Sequence, residues 1–250
     1  MEILGIDIGG TGVKGAIVDT STGELVTERF RIPTPQPATP SAIANTLAEV
    51  VAHFNWSGPV GAGFPSAILH GVAKTASNVD KAFIGINLQA LFSHETGCPV
   101  YVANDADVAG LAEFSFGEGK DQQGLVIMIT VGTGIGTVII NHGQLQPNSE
   151  LGHIYLNNGI KAEDFAANSV RKKLNLSWKQ WGKRLSLYLE TMEELFYPDL
   201  FVLGGGVSKH FEQYQKYLNT NTQVQTASFL NQAGIVGAAL YAKSQHNALN

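Results

Sequence analysis

The segment MEILGIDIGGTGVKGAIVD, Met1 to Asp19, is where the reading of this chain begins. Apolar residues run from Ile3 to Ile8, broken only by Gly5 and Asp7. Gly9, Gly10, Thr11 and Gly12 follow, and apolar residues resume at Val13 and continue to Val18. Two β-type runs around a short Gly/Thr turn predict a hairpin. A turn this rich in glycine brings backbone N–H groups close to an anion, as phosphate-cradling loops do. Asp7 stands where the first strand runs out, and a carboxylate there makes sense if a metal ion mediates between it and a phosphate. A plain hairpin with an edge aspartate accounts for the same residues, and this segment alone leaves both readings open.

The pattern returns at LVIMITVGTGIGTVII, Leu125 to Ile140, with a turn of Gly132, Thr133 and Gly134 and with Thr130 standing where Asp7 stands. Solenoid units recur every ~20–50 residues. A repeat at this longer period predicts instead two similar domains, each opening with a Gly/Thr hairpin. Two such loops facing across a cleft would hold a phosphate chain from both sides.

The totals set the frame. A chain of 250 residues, 44 % hydrophobic and 15 % charged, suits a folded protein of one large or two small domains. It holds no apolar run of membrane-spanning length and no basic leader ahead of an apolar stretch, and Cys98 is its one cysteine. These features lead us to expect a cytoplasmic protein without a membrane partner. The net charge of −5 gives no global attraction for nucleic acid, but it is unevenly spread. Lys161, Arg171, Lys172, Lys173, Lys179, Lys183 and Arg184 are seven of the 16 basic residues, against Glu163 and Asp164, so 161–184 carries +5 and the remainder −10. Such a local field can steer an anionic ligand; a solvated helix face is the other reading.

Further along, Glu24 to Ile32 reads as a third strand, followed by a loop marked by Pro33, Pro35, Pro37 and Pro40. Helical spacing predicts a helix over Ser41 to Phe54, with Ser41 as a candidate cap. Val60 to Phe64 and Pro99 to Ala103 read as strands, with a helix over Asn87 to Glu95 between them. Asn104-Asp105 then opens a helix over Ala106 to Phe116. Either residue can serve as its N-cap; a carboxylate at the C-terminal end of a strand is also where α/β enzymes place chemistry. Glu150 and His153 follow a loop and are two potential ligands without a third. Trp178, Trp181, Leu185, Leu189, Met192 and Leu195 predict a long helix over Ser177 to Phe196, its tryptophans in the core. A strand over Pro198 to Leu203, Gly204-Gly205-Gly206 and a helix over Val207 to Tyr217 offer backbone to phosphate at a helix N-terminus, with Lys209 one turn in. Gln232 to Ala242 forms the last helix.

Taken together, DIGGTGVKGA (7–16), NDAD (104–107), VGTGIG (131–136), ELGH (150–153) and LGGGVSK (203–209) resemble the sugar kinases and related repressors of the ROK family. The motifs keep the family's order along the whole chain. The path from ELGH to KAEDFAA, SWKQW, LFYPDLFVLGGGVSKH and NQAGIVGAALYA is most similar to the family's polyphosphate glucokinases. Two departures from the wider family stand out. No cysteine-rich zinc motif follows His153, so structural zinc is not expected, and the DNA-binding domain of the repressor members is not seen.

The resemblance implies a two-domain α/β architecture of the actin-like ATPase, hexokinase-like (ribonuclease H-like) fold, with an interdomain cleft. The expected domains are 1–103 and 104–250, with the last helix, about 232–243, packing back on the first. It implies phosphorylation of the glucose 6-hydroxyl by inorganic polyphosphate, with Mg²⁺ as cofactor and a homodimer as the usual state. Asp105 would be the base. Gly63, Pro65, Ser66, Asn78, Asn104, Glu150 and His153 would bind the sugar. Glu163 is a further sugar ligand, at a position near the missing zinc motif. Gly9, Gly10, Thr11, Lys14, Thr133, Gly134, Gly204, Gly205 and Lys209 would hold donor phosphates, with Arg171, Lys172 and Lys173 along a long chain, and Asp7 would organise Mg²⁺. An ATP-dependent or dual-donor glucokinase or glucomannokinase is the alternative, and a non-catalytic sugar sensor the rival of another class.

Overall fold

In the computed structural model, which describes residues 1–76, 79–229 and 232–249, the opening segment is a hairpin. Strands β1 (Glu2–Gly9) and β2 (Gly12–Asp19) run antiparallel with Asp7 opposite Lys14, and Gly10-Thr11 makes the turn. The third strand, β3, is shorter than its sequence suggests, Phe30–Ile32 instead of Glu24 to Ile32. Upstream of it the Thr27 hydroxyl takes the Ile17 N–H at 3.0 Å, so a side chain stands where a ladder carbonyl would. Helix α1 (Pro40–His53) starts one residue earlier than expected. Thr39, not Ser41, caps it, accepting from the Ala42 N–H at 3.3 Å, because Pro40 fills the first helical position where no donor is needed.

The first unit continues through β4 (Val60–Phe64), the small hairpin β5 (Ile68–Leu69) and β6 (Val72–Ala73), α2 (Leu88–Thr96), β7 (Val100–Asn104) and α3 (Asp105–Phe116). Its main sheet has the order β3-β2-β1-β4-β7, antiparallel across the hairpins and parallel from β1 to β7. Ile6, Leu47, Phe64 and Phe92 fill the core on the α1 and α2 face. The other face takes α3 and the final helix. The unit comprises Met1–Phe116 with Asn231–Asn250, so it runs past the 103/104 boundary read from the sequence. The reason is backbone contact. A Cβ on Gly61 would overlap the Ala238 carbonyl, and one on Gly237 would overlap the Val108 carbonyl, so strand, final helix and α3 meet where side chains are missing.

The second unit, Gly117–Leu230, repeats the sheet. Strands β8 (Leu125–Val131), β9 (Ile135–Asn141), β10 (Gln144–Gln146), β11 (Leu200–Gly204) and β12 (Gln223–Thr226) take the order β10-β9-β8-β11-β12, with the same alternation of antiparallel and parallel pairs. Short helices α4 (Ala162–Ala166) and α5 (Asn168–Lys173) precede α6 (Trp178–Phe196), whose Ser177 forms a reciprocal cap with Gln180. Trp181, Leu185, Leu189 and Met192 of α6 are fully buried. Trp178 is only half-buried, against Trp181 and Tyr214. The helix expected over Val207 to Tyr217 is not continuous. It divides into a 3₁₀ turn at Ser208–His210, α7 (Phe211–Tyr214) and a second 3₁₀ turn at Gln215–Tyr217. Full burial of Tyr214 against Trp181, and the close approach of Tyr214 and Tyr217 to Gly182, set this path in place of helical regularity. The last helix, α8 (Ala233–Leu249), closes the first unit. Among the described residues no helix is long and apolar enough to cross a membrane.

Candidate active site

In the first unit the candidate groups sit at the C-terminal ends of the parallel strands. Asp7, near the end of β1, accepts an ion pair from Lys14 Nζ at 3.0 Å. Pairing across the sheet places Asp7, Lys14 and Arg31 in one row, hence on one face. The Arg31 guanidinium donates to the Thr11 carbonyl at 2.6 Å. The sequence did not point to Arg31, because only strand register brings it to the hairpin. On the other side of the turn the Thr34 hydroxyl donates to the Gly9 carbonyl at 2.5 Å.

Asn104 ends β7 and Asp105 begins α3. The Asn104 side-chain oxygen accepts from the N–H groups of Ala106 at 2.8 Å and Asp107 at 3.2 Å. This is an N-cap, worth about 1 kcal/mol. The Asn104 amide nitrogen donates to the Ser66 carbonyl at 3.1 Å, so Asn104 also fastens the Pro65-Ser66 loop. The Ser66 hydroxyl is buried and donates to the Thr75 carbonyl at 2.7 Å. Ser66 therefore offers backbone, not its side chain. Gly63 is interior to β4, against Val108, and Asp105 accepts from its neighbour Ala106 N–H at 2.8 Å. Asn78 lies outside the described residues.

In the second unit, Glu150 leads into the 3₁₀ turn Leu151–His153. His153 Nε2 comes within 3.2 Å of a Glu163 carboxylate oxygen, and Lys161 Nζ within 4.0 Å of the same oxygen. Glu163 also lies against the hairpin turn, since a Cβ on Gly134 would stand 2.7 Å from its carboxylate. Two residues separated by a loop and a helix start thus share one place with the turn. Gly205, at φ +81°, packs on the backbone of Val131 just before that turn. Lys209 is exposed in the 3₁₀ turn Ser208–His210. No α-helix begins at Gly206, so the expected helix-terminus phosphate site is replaced by two adjoining glycine turns. Arg171 lays its guanidinium 4.0 Å over the Trp178 ring and donates from Nε to Asn168 at 2.9 Å, while Lys172 and Lys173 are exposed beside it. The Ser169 N–H donates to the Gly132 carbonyl at 3.1 Å and its hydroxyl to the Thr133 carbonyl at 2.5 Å, fastening α5 to the turn. Neither Ser169 nor Thr34 carries a sequence signal, because each acts on a residue distant along the chain.

Among the described residues no three carboxylate, imidazole or thiol groups converge as a metal cage. Mg²⁺ in phosphoryl-transfer sites is commonly held by one or two carboxylates, substrate phosphates and water. Asp7, 25 % exposed beside a glycine turn, is a donor set of that kind and fits the ion.

Comparison with known proteins identifies the family and the fold. The ROK family model matches residues 3–168. The polyphosphate glucokinase of Mycobacterium tuberculosis (strain CDC 1551 / Oshkosh) is 47 % identical over 238 residues, covering 95 % of this chain and 89 % of that protein. The crystal structure of the inorganic polyphosphate/ATP-glucomannokinase from Arthrobacter sp. strain KM superposes with a TM-score of 0.86 at 46 % identity, over 98 % of this chain and 99 % of that one. The ROK hexokinase of Thermus thermophilus shares the fold, with a TM-score of 0.81 at 23 % identity over 99 % of this chain and 100 % of that one. The two matching mixed sheets are those of the two-domain actin-like ATPase fold, and the chain belongs to the ROK family.

Proposed function

We propose that this protein transfers the terminal phosphoryl group of inorganic polyphosphate to the 6-hydroxyl of glucose, giving glucose 6-phosphate. The observation that carries this reading is the 47 % identity, over 95 % of the chain, to a polyphosphate glucokinase. The geometry is consistent with it. Asp105, at the start of α3, is the base. It orients the 6-hydroxyl and takes its proton as that oxygen bonds to the terminal phosphorus and the bridging P–O bond breaks, leaving polyphosphate one unit shorter. Asn104 holds the Pro65-Ser66 loop in place, and Glu150, His153 and Glu163 recognise sugar hydroxyls. A sugar lacking one of those hydroxyls leaves a polar group unpaired, which is the basis of selectivity. Asp7 would hold Mg²⁺, which when bound neutralises phosphate charge. Lys14, the hairpin N–H groups and Lys209 bind the donor phosphates, and Arg171, Lys172 and Lys173 hold the chain beyond. The family resemblance adds a homodimer, checked by light scattering.

A second reading, in which ATP also serves as donor and mannose as acceptor, is favoured by the 46 % identity to a polyphosphate/ATP-glucomannokinase. One experiment separates them: hexose 6-phosphate formation with Mg²⁺ and either ATP-free polyphosphate or polyphosphate-free ATP, with glucose or mannose. Turnover with polyphosphate and glucose alone supports the first reading. Turnover in all four tubes supports the second, and turnover in none returns the protein to the sensor class.

A further inference from the structure

Both Gly/Thr turns are held from their carbonyl side by a hydroxyl from a distant segment. In the first unit the Thr34 hydroxyl donates to the Gly9 carbonyl at 2.5 Å. In the second the Ser169 hydroxyl donates to the Thr133 carbonyl at 2.5 Å, and the Ser169 N–H to the Gly132 carbonyl at 3.1 Å. A trans peptide is planar, with its C=O and N–H pointing in opposite directions. Fastening the Gly9 carbonyl therefore aims the Gly10 N–H the other way. Fastening the Gly132 and Thr133 carbonyls aims the N–H groups of Thr133 and Gly134. Among the described residues no acceptor within the chain receives any of these three N–H groups. Successive unpaired backbone N–H groups make an anion-binding concavity. Of the three residues that carry these groups, Gly10 and Thr133 are exposed and Gly134 is half-buried.

We propose that the Thr34 and Ser169 hydroxyls are positioning groups for the phosphate donor, each fixing a peptide plane so that its N–H faces a phosphate oxygen. The repeated hairpin thus comes with a repeated clamp, built from unrelated segments: a proline-rich loop in one unit and a short helix in the other. The proposal rests on the reading that these turns face a phosphate donor. A turn without its clamp can rotate the peptide plane, so the donor must pay for ordering it. The sugar ligands proposed above act through side chains and the Pro65-Ser66 backbone, not through these planes.

The test uses the full chain and four variants: Thr34→Val and Ser169→Ala remove the hydroxyls, Thr34→Ser and Ser169→Thr keep them. Steady-state kinetics give the KM for polyphosphate, the KM for glucose and kcat; calorimetry gives the affinity for tripolyphosphate without turnover. Loss of one hydrogen bond of this type predicts a donor KM and tripolyphosphate Kd raised about five- to tenfold. The glucose KM should be unchanged and the hydroxyl-keeping variants close to the parent. Ser169→Ala keeps the Gly132 contact and should show the smaller effect. Unchanged donor affinity in both hydroxyl-removing variants would overturn the proposal. So would a parallel rise in glucose KM, or equal losses in Thr34→Ser and Ser169→Thr. A parent protein that neither turns over polyphosphate nor binds tripolyphosphate would instead sink the functional reading, and the proposal with it.

Discussion

Replacing Gly234 with alanine should separate stability from activity. Gly234 lies in the first turn of α8, directly against Asp7. A Cβ there would stand 3.0 Å from the Asp7 carboxyl carbon, 3.1 Å from one carboxylate oxygen and 3.2 Å from its Cβ. Those distances are short of van der Waals contact by a few tenths of an ångström, and a side chain facing a polar turn can yield that much. The helix itself gains from the exchange, by up to about 1 kcal/mol in an interior position and less in a first turn. Gain and crowding nearly cancel, so the melting temperature should move by no more than about 4 °C in either direction. The carboxylate, however, is displaced from its 3.0 Å pairing with Lys14 and from the place proposed for the metal. Misplacement on the ångström scale costs about 10²-fold in rate, so a shift of a few tenths should lower kcat about tenfold, with the glucose KM unchanged. Thermal melts followed by circular dichroism and coupled glucose 6-phosphate assays at several Mg²⁺ concentrations would measure both. A stable variant with parental kcat and parental Mg²⁺ dependence would refute the placement of Asp7 in the donor site.

Three further predictions can be checked with the same assays. Asp105→Asn should lower kcat by about 10²–10⁴ while glucose binding, followed by tryptophan fluorescence, persists; retained turnover would remove Asp105 as the base. Replacing Arg171, Lys172 and Lys173 together with alanine should raise the KM for long polyphosphate roughly tenfold and flatten its salt dependence, leaving glucose unaffected. A donor KM that stays parental would return this segment to a solvated helix face. Glu193 is a probe of pH-dependent stability in the second unit. Partial burial raises its pKa, but hydrogen bonds from the Thr222 hydroxyl and N–H, the Thr220 hydroxyl and the Asn221 N–H outweigh that and bring it from 4.5 to about 2. A depressed carboxylate contributes stability above its unfolded pKa and loses it as pH falls through the folded value. After allowance for solvent screening, about 1–2 kcal/mol should therefore disappear between pH 5 and pH 2. Urea midpoints for the parent and Glu193→Gln would show it, and identical pH slopes would contradict it.

Much of this protein is legible in order along the chain. The two Gly/Thr hairpins, the strand that runs into Asn104, the amphipathic α6 and the motif order that marks the ROK family all follow from local pattern. Apolar period and glycine placement are properties of neighbouring residues, and five short motifs in sequence are a specific signal. The shared sheet order of the two units was foreshadowed by the hairpin echo. Where local pattern failed, a long-range contact prevailed. Burial of Tyr214 broke the helix expected after Gly206, the Thr27 hydroxyl shortened β3, and the Gly237–Val108 approach drew α3 into the first unit, beside the final helix already expected there. The pairing of His153 with Glu163, the row of Asp7, Lys14 and Arg31, and the clamps from Thr34 and Ser169 carry no mark in the sequence. Each depends on strand register or on where a loop returns, and those are settled by packing of the whole unit. Thus sequence alone determined which chemical groups this protein owns and which family it joins; tertiary structure decided which of those groups meet, because a hydrogen bond is made by distance in space and not along the chain.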